Sequence, residues 1–569
     1  MDMAALKQHP MRMKILRWNF VLCAATLVAC AGSEHGTASG AAGGTLVIST
    51  AADPDYLFPP LTSSSQGLEI GDQIFERLAD VGDQLNVIGD DGFVPRLAER
   101  WEWGKDSLSL IFHLNPKARW HDGLPVTARD VRFTHRIYTD SAIASPTAPL
   151  IADIDSVSLR DSLTPVIWFK RRSTHQFFDA AAQMLIVPEH VYGKLQPKAL
   201  AASELIRKPV GSGRFRFVRW VPGTTVEIVS DTSNYHSRAM LDRVIWTIAP
   251  DFNAATTKLL AGEADLFETM RPENVAAAAR VPTLHTITYP GFDYAFVMFN
   301  LRDPKAHQKP HPIFGDRSVR RALTMAVDRR GIVQNVFDSF AAPAVGPEVR
   351  ALPTTDTTLA QIPYDTTAAA KLLDSLGWRM GIDGIRHKAG QALAFTLITP
   401  ASSQSRRRCA VLIQDQMKKV GVRVDIQTLE INAFIRQEEG HEFDAAMHAW
   451  HLDASPQGIQ QTWGTQAATK NTGTNYASYT NPVFDAQVDS ALAQPTLAKA
   501  RPLFSHAYRT ILDDAPAIWL YDPKGIIGIH RRVHVTSVRP DSWWIHLADW
   551  SIPAGERIAR DRMPLDKER

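Results

Sequence analysis

Apolar positions along this chain recur with two different periods. Stretches at 45–50, 108–114, 166–169, 215–220, 225–229, 244–248, 295–300, 394–398, 422–429 and 443–450 have strand character. In 422–429 the alternation is clear, with Val422, Val424 and Ile426 on one face and polar residues on the other. Between these runs the period becomes helical. Asp316 precedes the stripe Val319, Ala322, Leu323, Ala326 and Val327. Asp365 precedes Ala369, Leu372, Leu373 and Leu376, with Gly377 at the expected C-cap. Ala410, Ile413, Met417 and Val420 make a third stripe, on a helix expected to begin near Cys409 and end at Gly421. Asn481-Pro482 supplies an N-cap and a first-turn proline ahead of Phe484, Val488 and Leu492. Thr127 and Asp130 have capping-box spacing ahead of Val131 and Tyr138. Strands mixed with helices predict an α/β or α+β architecture. No repeat of solenoid length occurs, and 302–312, rich in Lys, His and Pro, predicts a surface loop.

The first apolar run has a different setting. Lys7, Arg12, Lys14 and Arg17 precede an apolar stretch from Trp18 to Ala29 that ends in Leu27-Val28-Ala29-Cys30. A basic segment, a short apolar segment and small residues at the end predict a secretory signal over 1–29. The run is short for a permanent membrane span. A cysteine at the expected cleavage point resembles the bacterial lipobox, which implies lipidation of Cys30. Residues 30–44 are dominated by Gly, Ala, Ser and Thr, the composition of a flexible tether. The expected location is therefore outside the cytoplasm, on the periplasmic or cell-surface side, with a lipid anchor in a membrane.

Charge narrows the partners. Lys and Arg total 62 against 60 Asp and Glu, a net +2, which lacks the basic excess that nucleic acid or an acidic membrane surface requires. Of 3 cysteines, only Cys409 would remain in an exported body, so neither an internal disulfide nor a cysteine zinc site is expected. Catalytic motifs are lacking. In Trp120-His121-Asp122-Gly123 the adjacent His and Asp point different ways, and Asp-Gly marks a turn. Gly211-Ser212-Gly213 leads into the strand pattern of Phe215 and Phe217 and matches neither a nucleophile elbow nor a dinucleotide loop. The chain is not expected to be an enzyme, and no cofactor is expected.

Eight blocks, in order, resemble the extracellular solute-binding proteins of the peptide/nickel class that serve ATP-driven (ABC) importers. They are Leu97-Ala98-Glu99-Arg100-Trp101 with Trp120-His121-Asp122-Gly123 and Thr127-Ala128-Arg129-Asp130-Val131; Pro209-Val210-Gly211-Ser212-Gly213; Leu260-Ala261-Gly262-Glu263-Ala264-Asp265; Val319-Arg320-Arg321-Ala322-Leu323; Leu372-Leu373 with Gly377-Trp378; Ile413-Gln414 with Val420-Gly421-Val422; Phe443-Asp444 with Trp450 and Asp453; and Asn475-Tyr476 with Asn481-Pro482. The resemblance implies a two-lobed periplasmic-binding-protein-like α/β fold of the large peptide-binding class, with an extra wing subdomain and two hinge crossings. Lobe I would comprise 45–84, a wing at 85–204, 205–294 and 519–569, and lobe II would comprise 295–518. The crossings would fall near Phe296-Val297-Met298 and Trp519-Leu520-Tyr521. A monomer that closes around short peptides and docks on ABC permease subunits in the membrane is implied. With no nucleotide-binding loop in this sequence, the ATPase is another chain.

Within this frame the stretch Trp450-His451-Leu452-Asp453 stands out. Asp453 falls just past a predicted strand end, where α/β proteins place ligand contacts. The resemblance implies that it pairs with a peptide's α-ammonium, against the alternative of a loop carboxylate capping a turn. Trp450 either walls the site or packs in the core. His448 and His451 raise a metal-chelate or haem alternative, but two His and one Asp at this spacing form no strong metal signature, and a packed, hydrogen-bonded His448 is the preferred reading. Arg407, in Arg406-Arg407-Arg408, either meets a ligand carboxylate or belongs to a solvated basic run. Trp463 and Tyr476, like Tyr479, either line the pocket or pack the lobe. The expected function is capture of extracytoplasmic peptides for import. The alternatives are a chelate or haem carrier on the same fold, or a non-transporting sensor or chaperone lipoprotein. A secreted hydrolase would need a nucleophile–base constellation that the sequence does not display.

Overall fold

Residues 42–469 and 473–562 are described by the structure, a computed structural model. The basic and apolar leader, Cys30 and the tether up to Ala41 lie outside the described residues. Among the described residues the largest element is a twelve-stranded sheet. Across it run Arg423–Leu429, Ala394–Pro400, Ala445–His451, Asp293–Phe299, Ala517–His530, Leu266–Phe267, Thr45–Thr50, Arg243–Ile248, Thr225–Ser230 and Phe215–Val221. Two further strands, Leu284–Pro290 and Ala341–Pro343, also pair with Ala517–His530.

Ala517–His530 joins the two halves of this sheet. Its first part pairs with Asp293–Phe299 and Ala341–Pro343, and its second with Leu284–Pro290 and Leu266–Phe267. Pairing changes over at Asp522-Pro523-Lys524 on this strand and at Gly291-Phe292 on the neighbouring chain. Phe296 and Trp519, at the expected crossings, are paired to each other. The two changeovers touch. A Cβ on Gly291 would sit 2.2 Å from the Pro523 carbonyl oxygen, so only glycine allows this approach. Apolar patterning does not reveal the long strand, because Asp522, Pro523 and Lys524 interrupt its apolar run.

The helical stripes bury as their spacing requires. Val319, Ala322 and Leu323 of Arg317–Met325, Ala369 and Leu373 of Thr366–Ser375, and Ile413 and Met417 of Gln404–Lys419 pack into one core against Ala295, Val297, Leu397 and Met447. Full burial of each large aliphatic side chain contributes about 1.5–3 kcal/mol. The caps are present: Asp316 accepts from Ser318 N at 2.8 Å, Asp365 from Ala368 N at 2.8 Å and Asn481 from Val483 N at 2.9 Å. Thr127 and Asp130 form their capping box on Ala128–Tyr138, beside a four-stranded antiparallel sheet within 98–169.

Two local expectations are corrected. The helix expected near Cys409 starts at Gln404, capped by Ser403, so Arg406, Arg407 and Arg408 lie in its first turns rather than ahead of it. The stretch 302–312 is no irregular loop but contains a small exposed hairpin, Arg302–Asp303 with Ala306–Pro310, closed through Pro304-Lys305. No helix among the described residues is long and apolar enough to cross a membrane.

Candidate functional site

The sheet register brings charged residues to one place. Asp293 opens its strand directly opposite His451, and His451 Nδ1 lies 3.2 Å from Asp293 Oδ1. This hydrogen bond, with the charges of Asp293 and Asp453, raises the His451 pKa against the opposing effect of burial. Tyr521 sits opposite Ala295 on the other side of the Asp293 strand. Burial raises its phenol pKa, and both Arg406 and Asp293 act on it. Two charged neighbourhoods thus act on these residues, an acidic side at Asp453 on His451 and a basic side at Arg406 on Tyr521.

On the acidic side, the chain leaves the strand Ala445–His451 and turns, and Asp453 Oδ1 accepts from Ser455 N at 2.8 Å. The capping role of an ordinary turn aspartate is thus present. Asp453 is nevertheless unusual. It reaches solvent, yet protein crowds it closely enough that lost hydration raises its carboxyl pKa, opposed by the Ser455 N–H and by His451. The same carboxylate acts on Asp179, in the helix Gln176–Ala181, and on Glu348, after the strand Ala341–Pro343. Its charge thus reaches two parts of the chain distant in sequence.

On the basic side, the first turns of Gln404–Lys419 face the segment 271–273 across a cavity of about 630 Å³ lined by Arg271, Ser405, Arg406, Arg407 and Arg408 among others. Arg407 is half-buried and donates from Nη1 to the Ala401 carbonyl oxygen. Guanidinium groups beside a helix N-terminus favour an anion. Asp453 is not among the walls of this cavity.

The remaining expected residues fall in different places. Trp450 is half-buried, 4.3 Å from the His448 ring and 6.1 Å from the Tyr476 ring, so these form one aromatic group. Tyr476 is half-buried too. Trp463 is 1% exposed; its Nε1 donates to the Tyr294 hydroxyl at 3.3 Å and its ring packs on Phe296 and Trp519. Its surroundings in this conformation are core. His448 is buried, with Nδ1 2.7 Å from Glu438 Oε1 and aromatic rings around it, which is the packed, hydrogen-bonded histidine preferred from the sequence. Among the described residues no group of three or more His, Cys, Asp and Glu is placed to hold a metal ion. Sequence reasoning missed Asp293, Glu348, Asp179 and Asp522. The available signal was the isolated acid in an apolar setting, as in Ala344-Val345-Gly346-Pro347-Glu348-Val349.

A long sheet in two halves joined at a glycine-tight crossing defines a two-lobed α/β protein. The model of the bacterial extracellular solute-binding proteins, family 5, matches residues 92–473, and the chain belongs to that family. It is 25% identical over 542 residues to the oligopeptide-binding protein AppA of Bacillus subtilis, covering 91% of this chain and 96% of that one. The solved structure of that AppA in complex with a nonapeptide superposes with a TM-score of 0.70 over 90% of this chain and 99% of its own, at 24% identity. Heme-binding protein A of Haemophilus influenzae is 24% identical over 91% of this chain and 96% of its own. NikZ of Campylobacter jejuni, solved with Ni(L-His), shares the fold at a TM-score of 0.71 and 21% identity, over 89% of this chain and 99% of its own.

Proposed function

We propose that this chain is a lipid-anchored, monomeric binding protein that captures extracytoplasmic peptides between its lobes and hands them to the permease subunits of an ABC importer. The family and the oligopeptide-binding relative support capture and delivery. The observation that carries the peptide reading is the carboxylate of Asp453, which reaches solvent just past the end of the strand Ala445–His451. Arg406, Arg407 and Arg408 border a separate cavity whose guanidinium groups suit an anion. A free peptide is itself a dipole, with an ammonium at one end and a carboxylate at the other. In the closed form the ammonium loses water and needs an ionised partner, which Asp453 supplies. Backbone hydrogen bonding to the extended peptide gives affinity independent of side chains. The chain acts by binding and closure, and ligand shifts closure only by its differential affinity for the closed state.

Calorimetry of Asp453→Asn tests this. Peptides with a free amino end should lose affinity by about 2–5 kcal/mol, and acetylated peptides should bind wild type and variant alike. Equal affinities of wild type and variant for free peptides would remove Asp453 from the site. The haem and chelate alternative has less support from His448, whose Nδ1 is engaged by Glu438 and whose ring is enclosed by Phe296, Trp450 and Phe434.

A further inference from the structure

The cavity of about 630 Å³ beside the helix Gln404–Lys419 carries more positive charge than one carboxylate balances. Arg271, Arg406, Arg407 and Arg408 line it against a single acid, Glu273. Among the described residues neither these arginines nor Glu273 form an ion pair. Three of the arginines touch neutral groups instead. Arg407 donates to the Ala401 carbonyl oxygen, and Arg408 Nη2 donates to the Asn335 carbonyl oxygen at 3.0 Å. The Arg271 guanidinium lies 4.9 Å from the centre of the Phe252 ring. Guanidinium groups stay charged at any physiological pH, so the excess persists. The rest of the wall suits an anion as well: Ser402 and Ser405 bring hydroxyls, and the helix brings its N-terminus. The arginines also come from both halves of the long sheet. Arg271 follows Leu266–Phe267 in one half, and Arg406, Arg407 and Arg408 follow Ala394–Pro400 in the other. An anion seated between them is held from both halves and favours their approach by that differential contact. The space exceeds what a terminal carboxylate fills, which leaves room for the side chain next to it.

We infer that this cavity takes two carboxylates at once, the peptide's own terminus and the side chain beside it, so that the preferred ligands are peptides whose last residue is glutamate or aspartate. Each carboxylate pairs with guanidinium groups that have no acid of their own. This rests on the peptide reading and adds a substrate class to it.

Calorimetry of the full chain with Ala-Ala-Glu, Ala-Ala-Gln and Glu-Ala-Ala tests it. Ala-Ala-Glu should bind at least roughly tenfold more tightly than either of the others, a difference of about 1.4 kcal/mol. Glu-Ala-Ala has the same net charge, so it separates placement in the cavity from attraction at long range. Arg271→Glu and Arg408→Glu, both at exposed side chains, should each cut the ratio of Ala-Ala-Glu to Ala-Ala-Gln affinity several-fold. Equal binding of the three peptides to wild type, or an undiminished ratio in both variants, would overturn the inference while leaving the peptide reading intact. Should one variant not fold, the wild-type series and the other variant still decide. If none of the three binds, the peptide reading itself falls, and this inference with it.

Discussion

Single residues here do work that neighbours in sequence do not announce. Glu438 and His448 are both buried and 2.7 Å apart, which fixes one edge of the aromatic group under Trp450 and Tyr476. Removing the carboxylate strands a buried ring nitrogen, while His448 Nε2 already has no partner among the described residues. Glu438→Ala should therefore destabilise the protein by about 2–3 kcal/mol, read as a lower urea midpoint at unchanged slope. An unchanged midpoint would show that the pair is stabilising nothing. At this scale the sequence was partly legible. Asp453 could be singled out because it follows a strand in a recognisable block. Glu348 and Asp179 could not, because their burial is set by packing between segments far apart in sequence. Trp463 illustrates the converse: an aromatic beside the expected site packs on Tyr294, Phe296 and Trp519, which no local pattern foretells.

At the scale of elements, periodicity located the helices well because each stripe has a matching core and each cap has a polar side chain in place. It located the joining strand poorly. Ala517–His530 serves two halves of a sheet, so its two ends answer to different partners and its middle is polar. The close approach at its middle is testable. Gly291→Ala would push a Cβ to 2.2 Å from the Pro523 carbonyl oxygen and force the crossings apart. The expected result is a loss of roughly 1–3 kcal/mol in stability together with weaker ligand binding, measured by chemical denaturation and calorimetry on the same samples. A variant indistinguishable from wild type would mean the crossing is slack. A second contact joins distant elements: the Thr174 hydroxyl donates to the Leu492 carbonyl oxygen, and Gly89, at φ +72°, lies where a Cβ would be 2.7 Å from the Pro495 carbonyl oxygen. Gly89→Ala should loosen this contact and lower affinity chiefly by faster ligand release. An unaltered release rate in stopped flow would argue against it.

For the whole molecule, the buried acids set a pH dependence. Burial lifts Asp179 and Asp522 to about 8 and Glu76 and Glu268 to about 7. A carboxyl whose folded pKa exceeds its unfolded one favours the folded state while it stays protonated, and that contribution is lost as pH rises through the folded value. Histidines with depressed pKa, such as His175 at about 4, are neutral in both states above roughly pH 6.5 and do not offset this. The ligand-free protein should therefore melt at lower temperature at pH 8.5 than at pH 6.5, and a flat or rising profile in scanning calorimetry would refute the burial of these acids. Membrane attachment is testable separately. Labelled palmitate should enter the wild-type chain in a bacterial host and be absent from Cys30→Ala, whereas equal labelling would place the lipid elsewhere.

Native mass spectrometry of the purified protein, followed by denaturing identification of whatever it releases, tests the central claim most directly. Capture of peptides between two lobes, with Asp453 on the ammonium, predicts a mixture of short peptides with free amino ends. Release of a single haem or nickel chelate, with no peptide, would contradict it.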